Sequence, residues 1–240
     1  MKVLIFGASG LTGKALTQLC IDHSDIQAIH LIVRKPLIIA ELDETKVIQH
    51  TVDFSQRATL ESLLTSINAS HVFCCLGTTI KKAGSKAAFR AIDVELVSEI
   101  GQLALSHDAP QVFTVISALG ADINSRFFYN QAKGLVEKQL KDYANQANGA
   151  INNTACSKTL IICRPSLLTG DRDEFRFGEN ITNTISKLMP FIYRGALAKY
   201  TPISGETLAQ AMLKASLDQD LCATKKIITL ENLDLHQWGS

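Results

Sequence analysis

An α/β fold with a doubly wound parallel sheet is predicted, on three observations. Short apolar runs alternate with segments of helical spacing along the first two thirds of the chain. The opening run, Val3 to Phe6, breaks at Gly7-Ala-Ser-Gly10-Leu-Thr-Gly13 and passes at once into a helical pattern carrying Leu16, Leu19 and Cys20. At 240 residues, 46% apolar and 20% charged, the chain is long enough for one large α/β domain and too short for two.

Val3 to Phe6 is apolar on both sides and bounded by a turn, as a buried parallel strand must be. Ala28 to Val33 forms the second strand, closed by Arg34-Lys35-Pro36. Lys46 to His50 reads as a third, edge-like strand, and Gln56 to Ile67 as a helix. His71 to Cys75 is the fourth strand, ending in Leu76-Gly77-Thr78-Thr79. Ile80 to Ser85 is polar and is expected to be a mobile loop. The long helix after it carries Phe89, Ile92, Leu96, Ile100 and Leu103 as a core stripe. Gln111 to Ile116 is the fifth strand, with Ser117 at its end, and a helix runs from Arg126 to Ala147. Asn145 to Ser157 reads as a surface loop and Lys158 to Cys163 as the sixth strand. Helices over Asn180 to Met189 and Gly205 to Leu217, and a strand over Lys226 to Leu230, complete the order, with the tail to Trp238 packing on the body.

A net charge of +1 gives no field that would favour nucleic acid or an acidic membrane. No apolar stretch reaches the length of a bilayer span, and the N-terminus runs into the first strand without room for a signal peptide. The six cysteines and six histidines show no metal-ligand spacing, so no metal is expected. Reduced thiols then point to a cytoplasmic location.

A strand, a glycine turn and a helix are the parts of a dinucleotide site. The turn brings backbone N–H groups close to a pyrophosphate, and the helix N-terminus adds the positive end of its dipole. The spacing Gly7-x-x-Gly10-x-x-Gly13 is looser than the G-x-G-x-x-G fingerprint. At the end of the second strand an acid would bind the ribose 2′-hydroxyl of NAD, and a guanidinium would take the 2′-phosphate of NADP. Arg34 and Lys35 stand there, with no carboxylate before Glu41, so NADP(H) is favoured over NAD(H). Asp53 either caps the following helix or reaches the adenine edge. Leu76 and Gly77, in a small-residue turn, let the backbone approach the middle of the cofactor.

Tyr129 and Lys133 are four apart on one helix and share a face, flanking its buried stripe of Phe128, Ala132, Leu135, Leu140 and Ala147. Carbonyl reduction needs a proton on oxygen beside the hydride on carbon. A phenol is a weak acid–base group at neutral pH, and a nearby ammonium favours its phenolate. Lys133 supplies that ammonium and can also anchor the nicotinamide ribose, while Ser117 can hold the substrate oxygen.

These segments resemble the short-chain dehydrogenase/reductase superfamily in its atypical branch, and more narrowly the Tat-interacting-protein-like oxidoreductases. The resemblance is carried by Gly7–Gly13, Val52-Asp53-Phe54, Cys74–Thr79 with Lys82-Ala83-Gly84, and Ser117–Asp122. It continues through Tyr129-x-x-x-Lys133-Gly134-x-x-Glu137, Arg164-Pro165 and Asp171–Glu179. It implies a Rossmann-like single domain over residues 1–240, with a small substrate lobe contributed mainly by about 165–205. It implies cofactor contacts at Gly7, Ser9, Gly10, Leu11, Thr12, Gly13, Arg34, Lys35, Asp53, Phe54, Leu76, Gly77, Tyr129, Lys133 and Arg172, and catalysis by Ser117, Tyr129 and Lys133. Many members carry an asparagine on the helix before the catalytic strand as part of a proton relay; here the matching place is Asp93. The function so implied is an NADP(H)-dependent oxidoreductase acting on a small carbonyl or alcohol. The alternatives are an NADP(H)-sensing regulator that binds a protein partner, and an epimerase or dehydratase that oxidises its substrate transiently.

Overall fold

Val3, Leu4, Ile5 and Phe6 are all fully buried, which a strand achieves only when both faces of its sheet are covered. In the computed structural model, which describes residues 1–38, 45–106, 112–150, 158–170 and 195–240, that covering comes from helices on either side. β1 (Lys2–Phe6), β2 (Ala28–Val33), β3 (Val47–Thr51), β4 (His71–Cys74), β5 (Val112–Ile116), β6 (Thr159–Arg164) and a late strand, Ile227–Glu231, form one sheet in the order β3-β2-β1-β4-β5-β6 and then the late strand. Every pairing is parallel. The chain moves outward from β1 to β3 and then returns to β4, so it reverses direction between β1 and β4. That switch point opens a crevice at the carboxyl ends of the two strands.

Alternate residues of β1 feed separate cores. Leu4 and Phe6 meet α2 (Arg57–Ile67), the helices over Lys86–Ser106 and α6 (Phe128–Ala150), through Leu60, Ile100 and Val136. Val3 and Ile5 meet α1 (Leu11–Asp22), the helix Gly205–Leu217 and the terminal helix Asn232–Trp238, through Leu16, Met212 and Leu235. The tail does pack on the body, as Trp238 lies against this second core.

Four local features depart from the sequence reading. Ile80–Ala83 is α3, a single helical turn capped by the Thr79 hydroxyl and ended by Gly84 in the left-handed region (φ 83°), in place of a loop. The long helix is interrupted: α4 (Lys86–Arg90) passes into a π-helical segment, Ala91–Leu96, before α5 (Val97–Ser106). α6 continues to Ala150, because Asn148 bonds the Ala144 carbonyl and both backbone groups of Lys158, tying this polar stretch to the start of β6. A two-stranded pair, β7 (Leu168–Thr169) with β8 (Ile203–Ser204), and a short helix, Gln219–Thr224, were not foreseen. The helix expected over 180–189 lies outside the described residues.

One histidine pair makes the edge of the sheet sensitive to acid. His30 Nδ1 lies 2.9 Å from His50 Nε2, with the rings stacked at 5.2 Å. Burial, then the charges of His50 and Lys2, pull the His30 imidazole down to about 4. An imidazole depressed in the folded state and ordinary in the unfolded one leaves stability intact above the unfolded value. As pH falls from about 6.5 toward about 4, stability is lost at about 1.4 kcal/mol per pH unit for one proton. The melting temperature should therefore drop across that window, and His30→Phe should flatten the slope in a pH series of thermal melts.

Candidate functional site

The glycine turn is interlocked with β4. Gly7 sits at φ 80°, and a Cβ there would stand 2.7 Å from the Cys75 carbonyl. A Cβ on Gly13 would lie 2.2 Å from the Gly7 oxygen, so the first turn of α1 rests directly on the glycine turn. The Gly10 N–H donates to the Gly7 carbonyl at 3.0 Å. No side chain caps α1, and its first turn holds no acid. Thr12 Oγ1 is buried there without a hydrogen-bond partner among the described residues. An uncapped helix start, exposed Ser9 and Gly10, and an orphaned hydroxyl fit a pyrophosphate. Leu11 packs where Gly170 and Gly205 leave room, which brings the chain after β7 beside the turn. Arg172 lies outside the described residues.

Because Phe6 is in register with Ile32, the residues following β1 and β2 emerge side by side, and Arg34 and Lys35 are exposed there. Asp53 is not the cap of α2, whose N-cap is Gln56; its Oδ1 accepts the Ser55 N–H at 3.0 Å and the Ser55 hydroxyl at 2.8 Å. Phe54 is half-buried against Phe6, with the ring centroids 6.2 Å apart. Leu76 leans on the core and Gly77 is exposed, directly after β4.

The catalytic candidates gather at the carboxyl ends of β4 and β5. A Cβ on Gly134 would fall 2.3 Å from the Asp122 backbone, so α6 presses against the turn leaving β5. The Asn130 side chain donates to the Gly120 carbonyl at 2.7 Å and locks the contact. Tyr129 is 37% exposed, its ring 5.9 Å from Phe89 and its phenol within electrostatic reach of Lys133. Lys133 is not on the flank of the stripe: it is 4% exposed, because Asp93 supplies a buried partner at 2.8 Å. Asp93 sits in the π-helical segment, and its other oxygen accepts the Thr78 N–H at 2.8 Å. Burial alone would lower the Lys133 ammonium, but Asp93 and then Tyr129 outweigh it, and the group is held above the ordinary lysine value.

Ser117 is placed on the same side but already spends its proton, donating to Glu137 Oε1 at 2.6 Å. Glu137 is one turn beyond Lys133 on α6 and is clamped by Arg164, whose Nε and Nη2 reach its two oxygens at 2.8 and 2.6 Å. Burial raises the Glu137 carboxyl, and the bonds from Arg164 and Ser117 more than reverse this. Arg164 also pairs with Glu231 at 2.7 Å. The sequence motif contained Glu137 but gave it no role; a carboxylate on the stripe side of α6 was the available signal.

Among the described residues no cluster of metal-ligating side chains occurs, and no helix is long and apolar enough to cross a membrane. The described cysteines are free thiols, and burial pushes Cys20, Cys74 and Cys163 up to about 12, which makes them inert core residues.

A parallel sheet with a glycine turn at its switch point and a Tyr-x-x-x-Lys helix beyond it defines an NAD(P)-binding short-chain dehydrogenase/reductase scaffold. Protein HTATIP2 of Rattus norvegicus is 32% identical over 213 residues, covering 88% of this chain and 79% of the relative. The chain belongs to the atypical short-chain dehydrogenases/reductases, in the group of that Tat-interacting protein. Protein FMP52, mitochondrial, of Eremothecium gossypii is 25% identical over 240 residues, 98% of this chain and 97% of its own. Its counterpart in Emericella nidulans is 26% identical over 244 residues, covering 99% and 98%. No family model matches the chain. Among solved structures, MoeE5 in complex with UDP-glucuronic acid and NAD superposes with a TM-score of 0.66 at 16% identity, over 96% of this chain and 75% of that one. The UDP-Glc/GlcNAc 4-epimerase of Campylobacter jejuni gives 0.66 at 11%, over 98% and 82%, so both establish the fold alone. The fungal names overturn the expected cytoplasmic location. Free thiols and the lack of a bilayer-length apolar stretch describe a mitochondrial interior equally well, so neither observation selected the cytoplasm.

Proposed function

We propose that the chain is an NADP(H)-dependent oxidoreductase for a small carbonyl or alcohol, with Tyr129 as the acid–base group. The observation that carries this is an exposed Tyr129 within electrostatic reach of a buried Lys133, whose ammonium Asp93 holds above the ordinary lysine value. The bound nicotinamide would supply or accept the hydride. The N-terminus of α1, with Gly7, Ser9, Gly10, Leu11, Thr12 and Gly13, would hold the pyrophosphate, and Leu76 and Gly77 would border its middle. Asp53 and Phe54 would bound the adenine end, and Arg172 is a further candidate cofactor contact. Tyr129 gives its proton to a carbonyl oxygen or takes one from an alcohol, and Lys133 favours the phenolate and anchors the ribose. Ser117 holds the substrate oxygen by turning its hydroxyl from Glu137, which keeps its bonds to Arg164. Residues of about 165–205 would form the substrate lobe over this edge.

Titration of NADPH against NADH by thermal shift, followed by a carbonyl and alcohol panel with the preferred form, tests the reading. NADPH should stabilise the protein more than NADH. Arg34→Ala should weaken NADPH about tenfold or more, the loss of one charge-assisted phosphate contact, and leave NADH unchanged. Equal stabilisation by both nucleotides would remove the 2′-phosphate role of Arg34. Binding without turnover across the panel would leave a redox-sensing binder.

A further inference from the structure

Asp93 is buried in the π-helical segment, and two donors from separate elements converge on it. Lys133 Nζ reaches Oδ1 at 2.8 Å from α6, and the Thr78 N–H reaches Oδ2 at 2.8 Å from the turn after β4. Lys133 is 4% exposed and Thr78 8%, so neither donor has ready access to water as a substitute partner, and Asp93 itself is 1% exposed. A carboxylate has an acceptor at each end; an amide has one, and turns its NH2 toward the second donor. The site therefore requires aspartate for a reason legible in the geometry. The π-helical segment Ala91–Leu96 sets Asp93 at this junction, where one wide turn displaces a side chain from the regular helical register.

We propose that Asp93 is the positioning residue for Lys133: it fixes the ammonium against the turn that follows β4 and screens the charge the lysine projects toward Tyr129. Its importance for catalysis rests on the oxidoreductase reading above, but its effect on Lys133 does not. The groups that face the Lys133 ammonium are Asp93 from the π-helical segment, Tyr129 from its own helix and Cys74 from β4. Cys74 is pushed up to about 12 by burial, so its thiol brings no charge near neutral pH, and Asp93 is the carboxylate of the set, 2.8 Å from the ammonium. Paired with Asp93, the ammonium acts on the phenol as half of a dipole whose field falls off steeply. Unpaired, it acts as a full buried charge. The pairing also joins the ribose anchor to the Leu76–Thr78 backbone, so the two sides of the cofactor crevice are set by one carboxylate.

The test uses the full chain with Asp93→Asn, Asp93→Glu and Asp93→Leu, each checked for folding by thermal melting. Lysines labelled with 13C at Cε are titrated by NMR, with the Lys133 resonance assigned by its loss in Lys133→Arg. In the wild-type chain Lys133 should stay charged above the ordinary lysine range. In Asp93→Asn it should titrate at least about one pH unit lower, since burial then acts without a compensating anion. The acid limb of alcohol oxidation should move to lower pH by about one unit in Asp93→Asn and return toward wild type in Asp93→Glu. Asp93→Leu should either match Asp93→Asn or fail to fold, and Asp93→Asn, close to isosteric, keeps the test decisive in the second case. An unchanged Lys133 titration in Asp93→Asn overturns the proposal, as does a uniform loss of turnover with the pH limb unmoved. A wild-type chain without turnover, but with Lys133 shifted in Asp93→Asn, removes the oxidoreductase reading and leaves Asp93 as the partner that holds Lys133.

Discussion

Tyr129→Phe is expected to lower kcat by about 10²–10⁴-fold, the usual contribution of a positioned proton donor or acceptor. The Kd for NADPH should stay near that of the wild type. The separation between the two readouts follows from the geometry. The ring of Tyr129 packs 5.9 Å from Phe89, and phenylalanine keeps that contact, so folding and crevice shape persist. On the proposed reading the cofactor is held by the glycine turn and by Lys133, neither of which the substitution touches. Steady-state rates together with a fluorescence titration of NADPH measure both quantities on one preparation. A variant that retains full turnover would remove Tyr129 from the chemistry. A variant that loses cofactor binding in proportion would make the tyrosine a binding residue instead.

The sheet was legible because its signals are local. Val3–Phe6, Ala28–Val33 and His71–Cys74 are short apolar runs with turns at their ends, and parallel strands covered on both faces admit little else. The glycine turn was legible for the same reason, as its three glycines answer to contacts within the turn and with the neighbouring strand end. What could not be read were pairings between elements far apart in the chain. The spacing alone sets Lys133 on the flank of its helix, since a charge on an apolar stripe is costly by itself. It is buried because Asp93 arrives from another helix. The displacement that delivers Asp93 is a π-helical turn, and the spacing of Phe89, Leu96 and Ile100 fits an uninterrupted α-helix nearly as well. Ser117 was placed correctly at the end of β5, but its bond to Glu137 depends on how closely α6 approaches, and Gly134 decides that. Asp53 offered two roles, and the capping one is lost to Gln56, because its carboxylate settles into a turn with Ser55 that any solvent-exposed Asp-x-Ser can form.

Glu137→Ala should be strongly destabilising, on the order of 3 kcal/mol, the low end of breaking a buried ion pair from one side, because Arg164 is part exposed and keeps Glu231. Glu137 accepts the Ser117 hydroxyl and two guanidinium N–H groups of Arg164, and it lies 3.4 Å from Lys141 Nζ. Removing it leaves Arg164, among the described residues, with Glu231 and a 3.4 Å contact to the Ala121 carbonyl, and frees a buried serine. At about 2–4 °C per kcal/mol for a chain of this size, the melting temperature should fall by on the order of 10 °C. Glu137→Gln separates the two parts of the effect. Its amide oxygen still accepts one hydrogen bond, while its NH2 group faces the guanidinium, so it should lie between alanine and wild type. The two variants should also differ at Ser117. In Glu137→Ala the hydroxyl loses its acceptor and can turn to a substrate oxygen at no cost, so any surviving folded fraction should bind a carbonyl at least as well as the wild type. A folded Glu137→Ala chain with weakened substrate binding would mean that Glu137 orients Ser117 for the reaction, and that turning the hydroxyl away from it is no part of how substrate is held.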